Sequence, residues 1–318
     1  MKSKILLPIL MLFLVVSCKN ENKKTEPVDE EIVEVAETIQ EPENVIDIVT
    51  RSMEFQMTDT IPSGWNTFKY DNKANETHFF RFIKLPENIS IENYKEEVDP
   101  VFEEGMDLIN EGKPEDGFAA FGKLPEWFGK CVPFGGSGLI APKHSTVTTL
   151  LLDPGNYIVE CYVKMPNGKF HSTMGMIKDF NVSEVNSNNE QPMETETISV
   201  KEDGFYFNEI ISKGKHIFKV QVESQKLHEN FALTDVHLVE LANTASLDAL
   251  EAWMVWYDPK GFITPAPDGV TFLGGYNDDT EGSVGYFYAD LKPGKYALIA
   301  EVPNAKEKGL FKVFNVTD

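Results

Sequence analysis

An internal repeat constrains the fold more than any other feature of this sequence. Four segments of the first half return in the same order in the second half, at a spacing near 140 residues. The pairs are Asp153–Val159 with Lys292–Leu298, Phe180–Val182 with Phe314–Val316, Phe134–Gly136 with Leu273–Gly275, and a helical stretch at 90–110 with another at 247–256. A spacing of this size indicates a duplicated domain and not a solenoid.

Short strand patterns with turn signals dominate both copies. Tyr157 to Val163 alternates at strand period, and Trp65–Tyr70, Glu76–Lys84 and Thr146–Leu152 are typical of further strands. Ser90 caps a helical stretch that runs with breaks to about Asn110. The pattern predicts an all-β chain of two tandem antiparallel Greek-key β-sandwiches, each with a short helical insert. An up-and-down barrel is the alternative.

The N-terminus predicts export. Lys2 and Lys4 precede an apolar run that is too short to span a bilayer but suits a signal peptide. The run ends in Val15-Val16-Ser17-Cys18, which resembles a bacterial lipobox. We expect a lipoprotein signal peptide at 1–17, lipid on Cys18 and a protein anchored in the cell envelope, on the periplasmic or surface face of the outer membrane. An ordinary signal peptide with an incidental cysteine is the alternative.

Composition and charge divide the remaining chain. Residues 18–47 are rich in Glu and predict an acidic disordered tether, similar to the tethers of Bacteroidetes-type lipoproteins. Folded domains are expected at 48–184 and 198–318, with a polar linker at 185–197. The 42% hydrophobic content of the 318 residues suffices for real cores, and the net charge of -22 argues against nucleic acid as a partner.

Soft and borderline metal ligands follow the strand at Tyr157. Cys161, His171 and Met176 offer a thiolate, an imidazole and a thioether, which are the ligand types of mononuclear copper electron-transfer sites. Cys131 and Cys161 could instead form a disulfide in an oxidising compartment.

The same segment resembles the ligand loop of cupredoxins of the plastocyanin and azurin type. Gly155-x-Tyr157-x-x-x-Cys161 is followed by His171-x-x-x-Gly175-Met176, as in that family. The resemblance implies cupredoxin-like domains in tandem and a copper site in the first. Its implied ligands are His78, Cys161, His171 and Met176, with Met174 as the alternative to Met176.

The resemblance is incomplete. Nine residues separate Cys161 from His171, more than the family usually has, and a turn at Pro166-Asn167-Gly168 could carry His171 away from Cys161. A colourless Cu(I) site without the thiolate, or no metal at all, therefore stays open. In the second repeat Ala300 stands at the position of Cys161, and His216, His228 and His237 are expected on the surface.

These observations predict a lipid-anchored binding protein whose first domain handles copper or electrons, with a redox or protein partner that the sequence does not identify. The alternative is a metal-free adhesion or ligand-binding lipoprotein that uses its sandwich surface. Because no nucleophile, acid–base pair or catalytic metal motif emerges, the protein is not expected to be an enzyme.

Overall fold

Strands account for 41% of this computed structural model and helices for 13%, which confirms the all-β prediction. The structure describes residue 42 and residues 44–318. The predicted signal peptide and Cys18 lie outside the described residues, as does most of the tether. The first strand begins at Ile46, inside the range predicted as tether. Among the described residues no helix is long and apolar enough to cross a membrane.

The first repeat contributes seven strands and three helices. They are β1 Ile46–Thr50, β2 Thr60–Asn72, β3 Arg81–Lys84, α1 Ile91–Glu97, α2 Asp99–Asn110, α3 Pro114–Phe121, β4 Val132–Gly136, β5 Ser145–Leu152, β6 Gly155–Glu160 and β7 Ile177–Asn186.

The second repeat contributes nine strands and one helix. They are β8 Glu196–Lys201, β9 Gly204–Tyr206, β10 Ile210–Ser212, β11 Gly214–Val222, β12 Val236–Leu241, α4 Leu247–Trp253, β13 Val270–Tyr276, β14 Val284–Leu291, β15 Gly294–Ile299 and β16 Phe311–Thr317.

Strand β2 belongs to both layers of the first sandwich. Its start pairs with β7, which continues through β6 and β3 to β4, whereas from Gly64 onward it pairs with β5 and β1. Gly64 sits at the change of layer with φ +87°, a backbone conformation that suits glycine. The layers meet in the core, where the rings of Phe68 on β2 and Phe82 on β3 contact edge to face at 5.1 Å.

The second sandwich repeats this topology, with β10 and β11 together in the place of β2 and the short β9 as an additional strand beside β8. Strand β8 pairs in parallel with β11 as β1 does with β2, and β10 pairs with β16 as the start of β2 does with β7. Gly214, with φ +120°, begins β11 at the position that Gly64 holds in the first repeat. The sequence patterns did not predict these parallel pairs, because period-2 alternation does not reveal strand direction.

The two repeats meet through equivalent strands. Strand β5 pairs antiparallel with β14, with Val147, Thr148 and Thr149 opposite Tyr288, Phe287 and Tyr286. The two sandwiches therefore share one 11-stranded sheet.

A buried ion cluster also joins the repeats. Arg81 on β3 donates two hydrogen bonds to Asp278 of the second repeat, at 2.7 and 2.9 Å, and one to Glu160 on β6, at 3.2 Å. The Asp278 and Glu160 side chains are only 4% and 5% exposed. The paired charges hold the end of β6 against the second repeat.

The helical insert of the first repeat begins as predicted. The Ser90 side chain accepts a hydrogen bond from the Asn93 amide, and the Asn93 side chain accepts one from the Ser90 amide, so that the start of α1 is doubly capped. Helices α1 and α2 together cover the predicted stretch to Asn110. Helix α3 was not predicted, because Pro114 and Gly117 resemble loop residues in the sequence.

Removing Asp278 tests how much the ion cluster contributes to the stability of the folded protein. Asp278→Ala should lower the free energy of unfolding by about 3–5 kcal/mol, because it leaves a buried guanidinium without its main partner. Urea unfolding followed by circular dichroism measures the change. Glu223→Ala is the matched control: it breaks an exposed pair with Lys201 and should cost less than about 1 kcal/mol. Equal small losses in both variants would contradict a joining role for Asp278.

Candidate metal centre

Three side chains from separate segments meet in the first sandwich. His78 lies just before β3 and is held by paired backbone hydrogen bonds with Ile140. Cys161 directly follows the last residue of β6, and His171 lies ten residues further on, at the end of a loop. All three are completely buried.

Their donor atoms are in contact. The Cys161 Sγ lies 3.7 Å from the Nδ1 of His78 and 3.7 Å from the Nδ1 of His171, and the two Nδ1 atoms are 3.1 Å apart. Nitrogen and sulfur ligands bind first-row metal ions at about 2.0–2.3 Å. Donor atoms of one site must therefore lie roughly 3–4 Å from each other, as these do. Two imidazoles and a thiolate form the donor set of blue-copper electron-transfer sites, so the residues fit copper.

The nine-residue segment between Cys161 and His171 does not separate them. It forms a tight hairpin in which Lys164 pairs with Phe170, and the His171 amide donates to the Val163 carbonyl at 2.8 Å. The turn at Pro166–Gly168 was recognised in the sequence. Because the hairpin folds out and returns, its length does not set the distance between the two ligands.

The two candidate methionines have different surroundings. Met176 is completely buried; its amide donates to the His171 carbonyl at 2.9 Å, and its carbonyl accepts from the Cys161 amide at 3.2 Å. Met174 is 43% exposed and lines a surface groove beside Asp99 and Pro100. The Met174 amide also donates to the His171 carbonyl, at 3.1 Å, but only Met176 is buried and bonded through its backbone to both His171 and Cys161.

Burial keeps the cluster uncharged. It lowers the pKa of His78 to about 3, and burial together with the neighbouring His78 lowers the pKa of His171 to about 3 as well. Burial also raises the pKa of the Cys161 thiol to about 12. The imidazoles are thus neutral and able to ligate at physiological pH, and a metal would displace the thiol proton. Cys131 and Cys161 are both free cysteines, so no disulfide consumes the thiol.

The Nε2 atoms of both histidines are buried and have no hydrogen-bond partner in the described part of the chain. Metal-ligating histidines usually donate from their other ring nitrogen to a carbonyl or carboxylate. Among the described residues the site therefore lacks the usual outer partners. The two rings, whose centroids are 4.7 Å apart, are oriented by packing and by the contacts of their Nδ1 atoms with each other and with the Cys161 Sγ.

A second cluster in the other repeat was missed by sequence analysis. Asp235, His237 and Glu301 converge there, and all three are buried. His237 was predicted on the surface, and that prediction is wrong: His237 is completely buried, as His216 and His228 nearly are. The sequence held a signal for the burial of His237, because its neighbours on β12, Val236, Leu238 and Val239, are all apolar.

In this second cluster, the partners of the two His237 ring nitrogens favour a proton on the ring over a bound metal ion. The Nδ1 of His237 accepts from the Leu139 amide at 2.9 Å, so a neutral ring carries its proton on Nε2, 2.6 Å from the Asp235 carboxylate. The Glu301 carboxyl accepts from the Tyr162 hydroxyl at 2.8 Å, and burial raises its pKa well above the usual value. Thr234 and Ala300 stand where the first repeat has His78 and Cys161, which leaves the second repeat without that ligand set.

Comparison with known proteins gives distant structural neighbours only. No protein-family profile and no curated protein matches the sequence. The solved structure of reduced auracyanin from Roseiflexus castenholzii is 21% identical over 44% of this chain and 96% of its own, with a TM-score of 0.27. A multicopper oxidase is 12% identical over 86% of this chain and 88% of its own, with a TM-score of 0.22. The copper nitrite reductase of Nitrosomonas europaea is 11% identical over 86% of this chain and 93% of its own, with a TM-score of 0.23.

The neighbours correct one prediction. The chain was not expected to be an enzyme, yet copper enzymes are among the proteins to which its structure is similar, so the prediction is contradicted. The chain resembles copper proteins in fold. The similarity is one of fold, and it assigns neither a ligand nor an activity to this chain.

Acid should destabilise the metal-free protein through the two histidines. Their pKa is about 3 in the folded state and about 6.5 when unfolded. Since the unfolded chain binds more protons between those values, the free energy of unfolding falls as pH drops from about 6.5 towards 3. His78→Leu should make this fall shallower by up to about 1.4 kcal/mol per pH unit, measured by urea unfolding across that range.

His144→Leu serves as the control for this slope. His144 is exposed in a loop outside the buried cluster, so this variant shows whether a His-to-Leu change elsewhere in the chain alters the slope. An unchanged slope in His78→Leu would contradict a buried, neutral His78.

Proposed function

We propose that this protein binds one copper ion at His78, Cys161 and His171 and uses it in electron transfer. The contact between two buried imidazole nitrogens and one buried thiol carries the proposal. Copper bound there would supply the one-electron Cu(II)/Cu(I) couple.

The surrounding residues support electron transfer over simple storage. The ligands come from a strand start, a strand end and a short hairpin of one sandwich, so their positions are fixed by the sheet, and a rigid first shell limits reorganisation. Complete burial keeps water away from the donor atoms. Met176, tied by its backbone to both Cys161 and His171, is the residue available for a fourth, weak ligand.

Copper titration tests this function. Metal-free protein should bind one Cu(II) per chain and develop an intense visible band from the thiolate–copper bond, read by absorption and by metal analysis. Cys161→Ser should lose the band. His171→Ala should weaken binding by more than the roughly 10–100-fold that loss of an outer partner costs. Cys131→Ser, which removes the other free cysteine among the described residues, should behave like the wild type.

Two outcomes would count against electron transfer at this site. Copper retained without colour, and still retained in Cys161→Ser, would indicate a carrier that uses histidines only. Failure of both Cu(II) and Cu(I) to bind would overturn the copper proposal.

We further propose that the protein is attached to the cell envelope by lipid on Cys18. The proposal rests on the apolar run and on Val15-Val16-Ser17-Cys18 in the sequence. A lipid at this residue would anchor a chain whose net charge of -22 gives it no attraction to anionic lipid.

Metabolic labelling tests the anchor. Cells expressing the wild type and given radiolabelled palmitate should yield a labelled protein in the membrane fraction. Cys18→Ala should be unlabelled and leave that fraction, whereas Cys131→Ala should be labelled like the wild type. A labelled Cys18→Ala protein would overturn the proposal.

A further inference from the structure

An aromatic cavity lies beside the metal centre. It has a volume of about 100 Å³ and sits between the helical insert, the segment that follows His171, and the loop before β12. Ser172 and Thr173, the next two residues after His171, form part of its wall. Other parts of the wall are the rings of Tyr94, Phe102, Phe128, Phe170, Phe231 and Trp256.

The polar groups in this wall are mainly acceptors. Asn230 is 1% exposed, and its Oδ1 has no hydrogen-bond partner among the described residues. Its orientation is fixed, because its Nδ2 donates to the Glu301 carbonyl at 2.7 Å and its own carbonyl accepts from the Trp256 indole at 2.8 Å. A buried acceptor without a donor raises the free energy of the folded protein. A ligand that donates a hydrogen bond to Asn230 Oδ1 would remove this penalty.

The charges around the cavity sum to a negative value. Arg81 is the one basic residue of the wall, and its charge is neutralised by Asp278, with Glu160 as a further acidic partner. Asp99, at the start of α2, adds another carboxyl group at the rim. Burial, with Glu160 and Glu103 nearby, raises the pKa of this carboxyl to about 7, and a bound cation would favour its ionised form. A negative cavity walled by aromatic rings attracts a cation, because ring faces carry negative electrostatic potential.

The rim of the cavity contains a strained residue. Phe231 has φ +61°, a conformation that bulky side chains rarely adopt, and its ring is 44% exposed. It packs on the rings of Phe118 and Phe121, at 6.5 and 5.7 Å between centroids, which hold it at the opening.

We propose that this cavity binds a small organic ammonium ion. The aromatic rings would surround its alkyl groups and its charge, Asn230 Oδ1 would accept one N–H, and the Asp99 carboxylate would balance the charge. An engineered cavity of about 150 Å³ holds benzene, so a space of about 100 Å³ suits a ligand of a few heavy atoms. The inference stands independently of copper, since none of these residues belongs to the metal cluster.

Calorimetric titration of the metal-free full-length protein tests the proposal with probes of one size. Propylammonium, 1-propanol and propionate have similar shape and differ in charge. Propylammonium should bind with a Kd on the order of 1 mM, as few heavy atoms allow no high affinity. 1-Propanol should bind at least about tenfold more weakly, and propionate should not bind. In NMR spectra the indole N–H of Trp256 should shift with propylammonium.

Two variants locate the site. Asp99→Asn keeps the shape and removes the charge, and should weaken propylammonium binding about tenfold. Its matched control, Glu103→Gln, lies on the same helix but lines only the surface groove, and should stay within about twofold of the wild type. Thr173→Trp should fill the opening and abolish binding, and thermal unfolding of each variant checks that it is folded.

Three results would overturn the inference. They are equal affinity for propylammonium and 1-propanol, absence of binding by any probe, and propylammonium binding that both Asp99→Asn and Thr173→Trp leave unchanged. Because copper is absent from the titration, none of these results bears on the copper proposal.

Discussion

The ion cluster around Arg81 is the interaction on which the site depends. Arg81 follows His78 by three residues, and Glu160 directly precedes Cys161, so their ion pair fixes the two strands that carry these ligands. The bidentate bond to Asp278 ties both strands to the second repeat. The Arg81 side chain is only 19% exposed, and a charge this far from water needs such partners to offset its desolvation.

Complete burial determines the protonation states of the three residues of the metal cluster. Fully buried imidazoles stay neutral and a fully buried thiol stays protonated, so the metal-free pocket contains no net charge to be compensated. The tyrosine next to Cys161 reaches in the other direction, to the Glu301 carboxyl of the second repeat. Tyr162 thus contacts the second repeat directly, and Glu160 is linked to it through Arg81. The second repeat therefore positions the site without supplying a ligand of its own.

Features encoded in short stretches of sequence were predictable. The period-2 alternation at Tyr157, the capping pair at Ser90 and Asn93, and the repeated Pro-Gly turns depend on neighbouring residues only. His78, Cys161 and His171 were selected by ligand chemistry and chain order, and the structure brings them together.

Features that depend on distant pairing were not predictable. The contacts of Arg81 with Asp278, and of Glu301 with Tyr162, join residues that are 197 and 139 positions apart. Nothing in either local stretch specifies its partner. His237 was misplaced although its apolar neighbours on β12 indicated burial; that β12 lies between β13 and β15 is what the sequence does not show. The expectation that the chain is not an enzyme rested on missing motifs, and such an absence excludes only the mechanisms that those motifs serve.

The pairing of β5 with β14 has a consequence for the origin of the chain. These strands are equivalents in the two repeats, so each copy of the domain meets the other through the same edge, in opposite directions. An interface in which like meets like is isologous, the kind that forms closed homodimers. A single ancestral domain could therefore have covered this edge with a second copy of itself. Fusion would have made that dimer permanent, after which one half could lose its ligands while still protecting the edge of the other.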